Sequence, residues 1–290
     1  MLTDFPIHTL EPSHYPAALK EIPQVPEKLY CRGAPIDTAR RMIAIVGTRR
    51  YSAYGRQACE KIITDLASYP ITIVSGLAIG IDGIAHQTAL NTGLTTIAVI
   101  GSGLDEKVLY PSTHRTLAKQ IVEHGGTLLS ELEPHTRGAK HTFPSRNRIM
   151  AGLAEIVIAI ECAERSGTRI TTRLATDYNK EVGAVPHSIF SETGAGTNAL
   201  LREGAHCIRS GQDIVELLGL EHIAQQTLDL HTLTDNEQKV YSALTNPKTK
   251  TDILQEIGLP AHTLSATLAG LEMKGLIVET LGTIQRTQAN

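Results

Sequence analysis

From residue 42 onward, short apolar runs alternate with amphipathic stretches of helical period. The runs are apolar through consecutive residues instead of alternating, which is typical of parallel strands buried on both faces. The predicted strands cover 42–47, 71–75, 95–101, 127–131, 155–161, 181–186 and 206–209. Strands separated by helices of this length indicate right-handed crossovers. The pattern therefore predicts an α/β fold with a doubly wound, Rossmann-like and mostly parallel sheet.

The pattern changes on both sides of this region. Residues 1–39 hold six prolines and little periodicity, so we expect an N-terminal extension that packs on a main domain of residues 40–222. A polar linker, 223–231, follows the main domain. Residues 232–290 then read as three helices and a β-hairpin, which predicts a small C-terminal winged-helix domain.

The charges of the predicted winged-helix domain do not favour duplex recognition. It carries five basic and six acidic residues, and its third helix has only Lys274, at its far end. Sequence-specific reading of the major groove uses basic or amide side chains near the start of that helix. We therefore expect a protein-contacting or weakly DNA-contacting appendage, and a transcription factor is the least favoured reading of the chain.

Composition excludes several classes of protein. The chain of 290 residues is 41% hydrophobic and 20% charged, with no transmembrane run and no secretory signal, so we expect a cytoplasmic globular protein with no membrane partner. Four scattered cysteines without a CxxC pair predict neither disulfides nor a zinc site. The net charge is −3, yet residues 40–180 carry 17 basic and 12 acidic side chains. That local excess of +5 indicates an anionic partner.

The turns after the strands hold the candidate binding residues. In IVGTRR, Gly47 permits a sharp turn, and Thr48 and Arg49 follow it at the carboxyl edge of the sheet, where such folds bind ligands. The turn SGT, at Ser166, Gly167 and Thr168, is a second flexible entry into a helix. Both turns are suited to phosphate, which accepts hydrogen bonds from free backbone N–H groups.

The stretch FPSRNRIMAG places cations at a helix start, where acids are usual. We expect Pro144 at the first helical position. Arg146 and Arg148 flank Asn147, and at two residues apart they lie about 200° apart around a helix, so they cannot share one face. Lys140 and Phe143 precede them. Basic groups beside a ring predict one wall of a phosphate pocket with a base-stacking platform, with a core role for Phe143, the more common role of a lone phenylalanine next to proline, as the alternative.

Catalytic machinery does not assemble in the sequence. The glycine-rich turn after the third predicted strand lacks the third glycine of a dinucleotide fingerprint, and no phosphate-binding P-loop occurs. Asp82 and His86 are better read as a structural pair than as a catalytic dyad. We therefore expect no enzyme activity, no cofactor and no metal. The alternative is a Rossmann-like nucleotide-binding or nucleoside-monophosphate-hydrolysing enzyme, because GTNALLREG distantly resembles an element of such hydrolases.

Taken in order, these motifs closely resemble the DprA/Smf family of DNA-processing proteins over about residues 15–220. The resemblance rests on IVGTRRYSAYG, SGLAIGIDGIAH, TIAVIGSGLD, FPSRNRIMAGLA, the SGT turn and GTNALLREGA. It implies a dimeric, non-enzymatic protein of natural transformation and recombination that binds and protects incoming single-stranded DNA and loads the RecA recombinase. The strand-binding positions that it implies are Gly47, Thr48, Arg49, Lys140, Phe143, Arg146, Asn147, Arg148, Ser166, Gly167 and Thr168.

Three positions depart from the family pattern. Ile79 replaces a commonly basic residue, Arg169 replaces an apolar one, and His187 stands where glycine is usual. We expect Ile79 to weaken one edge of the pocket and Arg169 to restore charge nearby. A non-glycine residue at 187 argues against a turn with positive φ.

Overall fold

The chain forms two compact units, residues 1–222 and 223–290. The computed structural model describes residues 2–220, 234–244, 246–273, 276–280 and 283–286. The predicted linker 223–231 lies outside the described residues, as do Lys274 and Gly282.

A nine-stranded sheet is the centre of the first unit. Its strands are β1 (Ile7–Leu10), β2 (Leu29–Gly33), β3 (Arg41–Val46), β4 (Ile71–Ser75), β5 (Thr95–Val99), β6 (Thr127–Ser130), β7 (Ile156–Ala159), β8 (Glu181–Ala184) and β9 (His206–Cys207). Their order is β1-β2-β6-β5-β4-β3-β7-β8-β9. All pairings from β6 to β9 are parallel. The predicted α/β fold with a doubly wound, mostly parallel sheet is confirmed, and each of the seven predicted strands is present.

Helices cover both faces of this sheet. They are α1 (Ala17–Lys20), α2 (Ala53–Asp65), α3 (Ile81–Asn91), α4 (Arg115–Glu123), α5 (Thr142–Leu153), α6 (Gly167–Asp177), α7 (Ala195–Arg202) and α8 (Gly211–Leu218). None of the helices in the described ranges is long and apolar enough to cross a membrane.

Successive residues of the central strand β3 point to opposite layers of core. Ile43 and Ile45 pack with the α2, α3 and α8 side, whereas Ala44 and Val46 pack with the α1, α5 and α6 side. All four are buried. A strand buried on both faces loses apolar surface to water at every position, which explains the unbroken apolar runs in the sequence.

The N-terminal extension supplies two strands of the sheet itself. β2 pairs antiparallel with β6, and β1 pairs antiparallel with β2. The prolines and weak periodicity of residues 1–39 concealed these strands. Both are short, and their side chains do not alternate regularly between buried and exposed.

The second unit has three helices and a three-stranded antiparallel sheet. Its elements are α9 (Asp235–Ala243), β10 (Lys248–Thr249), α10 (Lys250–Ile257), α11 (Ala261–Met273), β11 (Ile277–Thr280) and β12 (Thr283–Arg286), with strand order β10-β12-β11. The helices and the hairpin lie where the sequence predicted them. The assignment of a winged-helix domain stays a prediction.

Candidate nucleic-acid interface

A cavity of about 500 Å³ opens at the carboxyl edge of the large sheet. Strand order reverses between β3 and β7, since the chain runs from β3 through β4 and β5 to β6 on one side and through β7 and β8 to β9 on the other. Turns that leave such a reversal point diverge to opposite faces and open a crevice for ligands. The cavity lies at this point, lined by the turn after β3 and by the starts of α5 and α6.

The turn after β3 is packed too tightly for larger residues. A Cβ atom on Gly47 would lie 2.5 Å from Cγ1 of Ile81. Gly80 has φ +98°, and a Cβ there would lie 2.3 Å from the carbonyl oxygen of Thr48. The N–H of Thr48 donates to the carbonyl of Glu161 at 2.7 Å. These contacts hold the turn against β7 and leave the Arg49 side chain exposed at the cavity.

Arg146 is buried below the cavity, with an exposed fraction of 7%. Its Nη1 donates to the carbonyl oxygen of Gly76 at 2.5 Å and also to that of Val99. The guanidinium therefore lies across the ends of β4 and β5 and satisfies carbonyls that no further strand pairing reaches. A Cβ on Gly76 would lie 2.3 Å from Nη1 of Arg146, so only glycine fits beside it.

Asp82 is the partner that balances this buried cation. Its Oδ2 accepts from the N–H of Gly76 at 3.1 Å and from that of Ala78 at 3.4 Å. Burial raises the pKa of the Asp82 carboxyl, and the Arg146 charge opposes that rise. Burial also lowers the pKa of Arg146 to about 10, partly offset by Asp82, so the guanidinium remains charged at neutral pH.

Arg148 faces away from the cavity. It pairs with Glu131, the residue after β6, and its side chain is 11% exposed. The opposite faces expected for Arg146 and Arg148 are observed. The helix itself begins two residues earlier than expected, at Thr142, so the placement of Pro144 at its first position is wrong. Pro144 is the third residue, where an N–H still has no partner within the helix, and proline therefore costs no helical hydrogen bond.

Lys140 and a pair of rings form the outer wall of the cavity. Phe143 lies against Gly101 and Gly138, where added Cβ atoms would come within 2.6 and 2.9 Å of its ring. The ring of Tyr110 lies 5.2 Å from that of Phe143, at an interplanar angle of 50°. Tyr110 is 48% exposed, and Lys140 is exposed beside the rings. Such a ring pair offers an apolar face next to a cation.

The start of α6 closes the remaining side. Ser166 precedes the helix and its side chain makes no capping hydrogen bond, and no acid lies in the first turn. Gly167 is exposed, and a Cβ there would meet nothing within 4 Å. The first N–H groups of α6 therefore have no side-chain acceptor and carry the positive end of the helix dipole.

The cavity gathers the predicted binding residues, with one exception. Gly47, Thr48, Arg49, Lys140, Phe143, Arg146, Asn147, Ser166, Gly167 and Thr168 all line it, whereas Arg148 does not. Sequence reasoning missed the contribution of Tyr110 and described Asp82 only as structural. The tyrosine could have been found from its place after a predicted strand, in the same kind of turn that supplied Arg49.

The three departures from the family pattern have different structural outcomes. Ile79 is 48% exposed, in the turn after β4. Arg169 does not add free charge to the cavity, since it makes two hydrogen bonds to the Glu203 carboxylate at 3.0 and 2.8 Å. His187 does not have a positive φ.

The described residues at this edge do not form the side-chain groupings typical of a metal site or of an acid–base dyad. Within the described ranges no group of three or more potential ligands is placed to hold a metal ion. The side chains of Asp82 and His86 bond separately, since Nδ1 of His86 lies 2.7 Å from the hydroxyl of Thr96. Among the described residues that line the cavity, Asp82 is the only carboxylate.

Comparison with known proteins gives a consistent family. Residues 7–219 match the family described as DNA recombination-mediator protein A. A putative DNA processing protein DprA of Mycobacterium tuberculosis is 37% identical over 252 residues, 83% of this chain and 63% of that protein. The chain thus spans less than two thirds of that relative's length.

Two solved structures are similar to the first unit. DNA processing protein A of Streptococcus pneumoniae matches with a TM-score of 0.68 and 39% identity, over 76% of each chain. The same protein of Helicobacter pylori, described for its single-stranded DNA binding mode, matches with a TM-score of 0.65 and 33% identity, over 75% of this chain and 98% of that one. The chain belongs to the DNA recombination-mediator protein A family, also called DprA.

Proposed function

We propose that this chain binds single-stranded DNA in the cavity at the carboxyl edge of its large sheet. The observation that carries the proposal is the pairing of Arg49 and Lys140 with the Tyr110–Phe143 rings around one opening. In the part of the chain that the structure describes, neither cation forms an ion pair with a carboxylate. Such cations are available to phosphate, and the rings to bases.

The chemistry of the wall favours a single strand over a duplex. Rings stack on bases only when those bases are not stacked in a double helix, and stacking tolerates any base. Phosphates would lie against Arg49, Lys140 and the free N–H groups that begin α6. Arg146 would act indirectly, by holding the carboxyl ends of β4 and β5 in place, since both carbonyls that it binds lie beneath the cavity.

Family membership supports a wider role in natural transformation and recombination. In this role the protein acts in the cytoplasm as a homodimer, protects incoming single strands and loads the RecA recombinase onto them. A protein that holds a strand by phosphates and stacked bases can shield it and release it along its length, because no contact depends on sequence.

We further infer that the chain is not an enzyme. The alternative, hydrolysis of nucleoside monophosphates, needs a carboxylate free to act on the sugar. Asp82, the carboxylate that lines the cavity, is engaged by two backbone N–H groups beside Arg146. Incubation with nucleoside monophosphates should release no free base. If free base is released by the unaltered chain and not by an Asp82→Asn variant, the result would support the hydrolase instead.

A salt-titrated binding experiment tests the proposal directly. Fluorescence anisotropy with labelled single-stranded and duplex oligonucleotides of equal length should show tighter binding of the single strand. The logarithm of affinity should fall with that of salt concentration, with a slope of about −0.7 per phosphate neutralised. Equal affinity for the two forms would contradict the assignment.

A charge-reversal pair locates the binding to the cavity. Arg49→Glu should weaken single-strand binding by at least about a hundredfold, because it removes one phosphate contact and adds repulsion. Arg202→Glu makes the same change at the exposed last residue of α7, away from the cavity, and should leave affinity within about threefold. Equal losses in both variants would point to nonspecific attraction.

A further inference from the structure

The exposed apolar side chains of the first unit are concentrated at one edge. Within the described residues, every large apolar side chain that is strongly exposed, except Val25, follows the carboxyl end of a parallel strand. They are Tyr51 and Tyr54 after β3, Ile79 after β4, Tyr110 after β5, Ile170 after β7, and Ile189 and Phe190 after β8. A single exposed apolar residue needs no explanation, whereas a row along one functional edge does.

The end of this row is more exposed than any other part of it. Ile189 is 86% exposed and Phe190 is 90% exposed. The turn that carries them is nonetheless fixed in place. The N–H of His187 donates to Oδ1 of Asn198 at 3.0 Å, Nδ2 of Asn198 donates back to the His187 carbonyl, and the N–H of Phe190 donates to the Ser188 hydroxyl at 3.3 Å. The two side chains are therefore displayed by an ordered turn.

One buried carboxylate joins this turn to the turn that carries Arg49. Glu161, which is fully buried, accepts from the N–H and the hydroxyl of Ser52 at 2.9 and 3.1 Å. Its other oxygen accepts from the hydroxyl of Thr193, which lies between Phe190 and the start of α7 at Ala195. The turns after β3 and after β8 are thus neighbours with a common anchor.

Tyr54 makes a second connection between the two turns. Its hydroxyl donates to the carbonyl of Pro186 at 2.8 Å, and its ring lies edge-on to that of His187 at 4.8 Å. Arg50, which follows Arg49, is exposed and forms no ion pair in the ranges that the structure describes. A surface thus leads from Arg49 at the cavity, past Tyr54 and His187, to the exposed ring of Phe190.

We propose that this surface extends the strand-binding site, and that a base beyond those held in the cavity stacks on Phe190. The inference rests on the proposed function. The turn favours a nucleic acid over a protein partner, since the chain neighbours of the two apolar residues are polar: Ser188, Ser191 and Glu192. A protein interface of ordinary size buries about 800 Å² per partner around an apolar centre, more than two side chains provide.

The chain contains no tryptophan, which allows a direct test of stacking. In the full chain, Phe190→Trp introduces a single tryptophan at the proposed contact, and Val25→Trp introduces one at an exposed control position outside the row; tryptophan is excited selectively over the eight tyrosines. We expect saturating oligothymidylate of about 15 nucleotides to quench the fluorescence at 190 and not at 25. Unchanged fluorescence at 190 with the oligonucleotide bound would overturn the proposal.

Affinities over a range of lengths separate the extended site from the cavity. Phe190→Ala should leave binding of an oligothymidylate of about three nucleotides unchanged and weaken one of about 15 nucleotides by roughly five- to a hundredfold. Phe190→Leu should show the same loss, because leucine is apolar but offers no ring. The proposal fails, and the turn is a protein contact, if Phe190→Leu keeps full affinity. It fails likewise if Phe190→Ala changes the oligomeric mass measured by light scattering and leaves the affinity for DNA unchanged. If the unaltered chain binds neither length, the proposed function itself fails.

Discussion

Helices that begin around the cavity start differently from those of the second unit. In the second unit, α9 and α10 begin with threonine caps, each in a capping box with an acid at the third position, Thr234 with Glu237 and Thr249 with Asp252. Around the cavity, α3, α5 and α6 begin without a side-chain cap, at Gly80, His141 and Ser166. A capped helix has satisfied its first N–H groups, whereas an uncapped one leaves them for water or a ligand.

The difference indicates what each region is built for. Capping residues and first-turn acids stabilise a helix by about 1 kcal/mol. No capping side chain supplies that stability at α3, α5 or α6, and of these helices α3 alone has a first-turn acid, Asp82. In the second unit, by contrast, α9 and α10 have their first N–H groups neutralised by side chains of their own first turns.

The largest effect should come from the buried cation that stands beneath the uncapped helices. Arg146→Met leaves Asp82 without a charge partner and two carbonyls without a donor, so we expect a loss of about 3–5 kcal/mol in the free energy of unfolding. Arg148→Met, on the same helix, breaks a more solvated pair with Glu131 and should cost about 1 kcal/mol. Urea denaturation measures both, and similar losses would show that the two arginines are equivalent.

Acid should reveal a second difference between the units. Burial lowers the pKa of His86, on α3, to about 3, from an ordinary 6.5. Between these values the unfolded chain takes up a proton that the folded chain excludes, so stability falls as pH drops below about 6.5. The loss should reach about 2 kcal/mol at pH 5.

His86→Gln removes the titrating group and should flatten this part of the pH profile, measured by urea denaturation between pH 7 and pH 5. His262 of the second unit is exposed, and His262→Gln serves as the matched control, which should leave the slope unchanged. A wild-type slope in the His86 variant would assign the acid sensitivity to other groups.

Removing an N-cap side chain in each region tests the comparison itself. Thr234→Ala should weaken hydrogen-exchange protection in α9 by about 1 kcal/mol, because the cap accepts from the N–H of Glu237. Ser166→Ala should weaken the protection of α6 by only a few tenths of about 1 kcal/mol, since the Ser166 hydroxyl caps nothing in the helix. An equal loss at both positions would mean that the start of α6 is capped in solution.

The smallest effect should follow from adding an acid at the start of α5, whose first turn has none. His141→Asp places a carboxylate before α5, at an exposed position, and should stabilise the protein by about 0.5 kcal/mol through the helix dipole. The same charge should weaken single-strand binding about fivefold by repelling phosphate. His141→Asn, which is polar and neutral, controls for shape and should leave binding near that of the unaltered chain.

The sequence predicted the sheet and its turns because both depend on local pattern. Runs buried on both faces read as parallel strands, and the turns that follow them must meet at one edge. The opposite orientations of Arg146 and Arg148 followed from helical geometry alone. Local pattern also located the small second unit, by its helices and hairpin.

Contacts between distant segments could not be predicted in this way. The choice of Glu131 as the partner of Arg148 depends on where β6 ends relative to α5, and the ring of Tyr110 reaches Phe143 from a different turn. The short strands β1 and β2 exist because β6 offers an open edge, and their own sequence carries little strand signal. The site was therefore predicted as a set of positions, and its internal partners were not.

Glu161 has a mechanical consequence. Its carboxylate receives hydrogen bonds from the turns after β3 and after β8, and its own strand is the neighbour of both. A pull on either turn is thus transmitted to the central strands of the sheet, which resist it in shear along their full ladder of hydrogen bonds. The two surface turns therefore move as one rigid unit. Tension on a bound polymer would act on the core of the protein and not on a flexible loop.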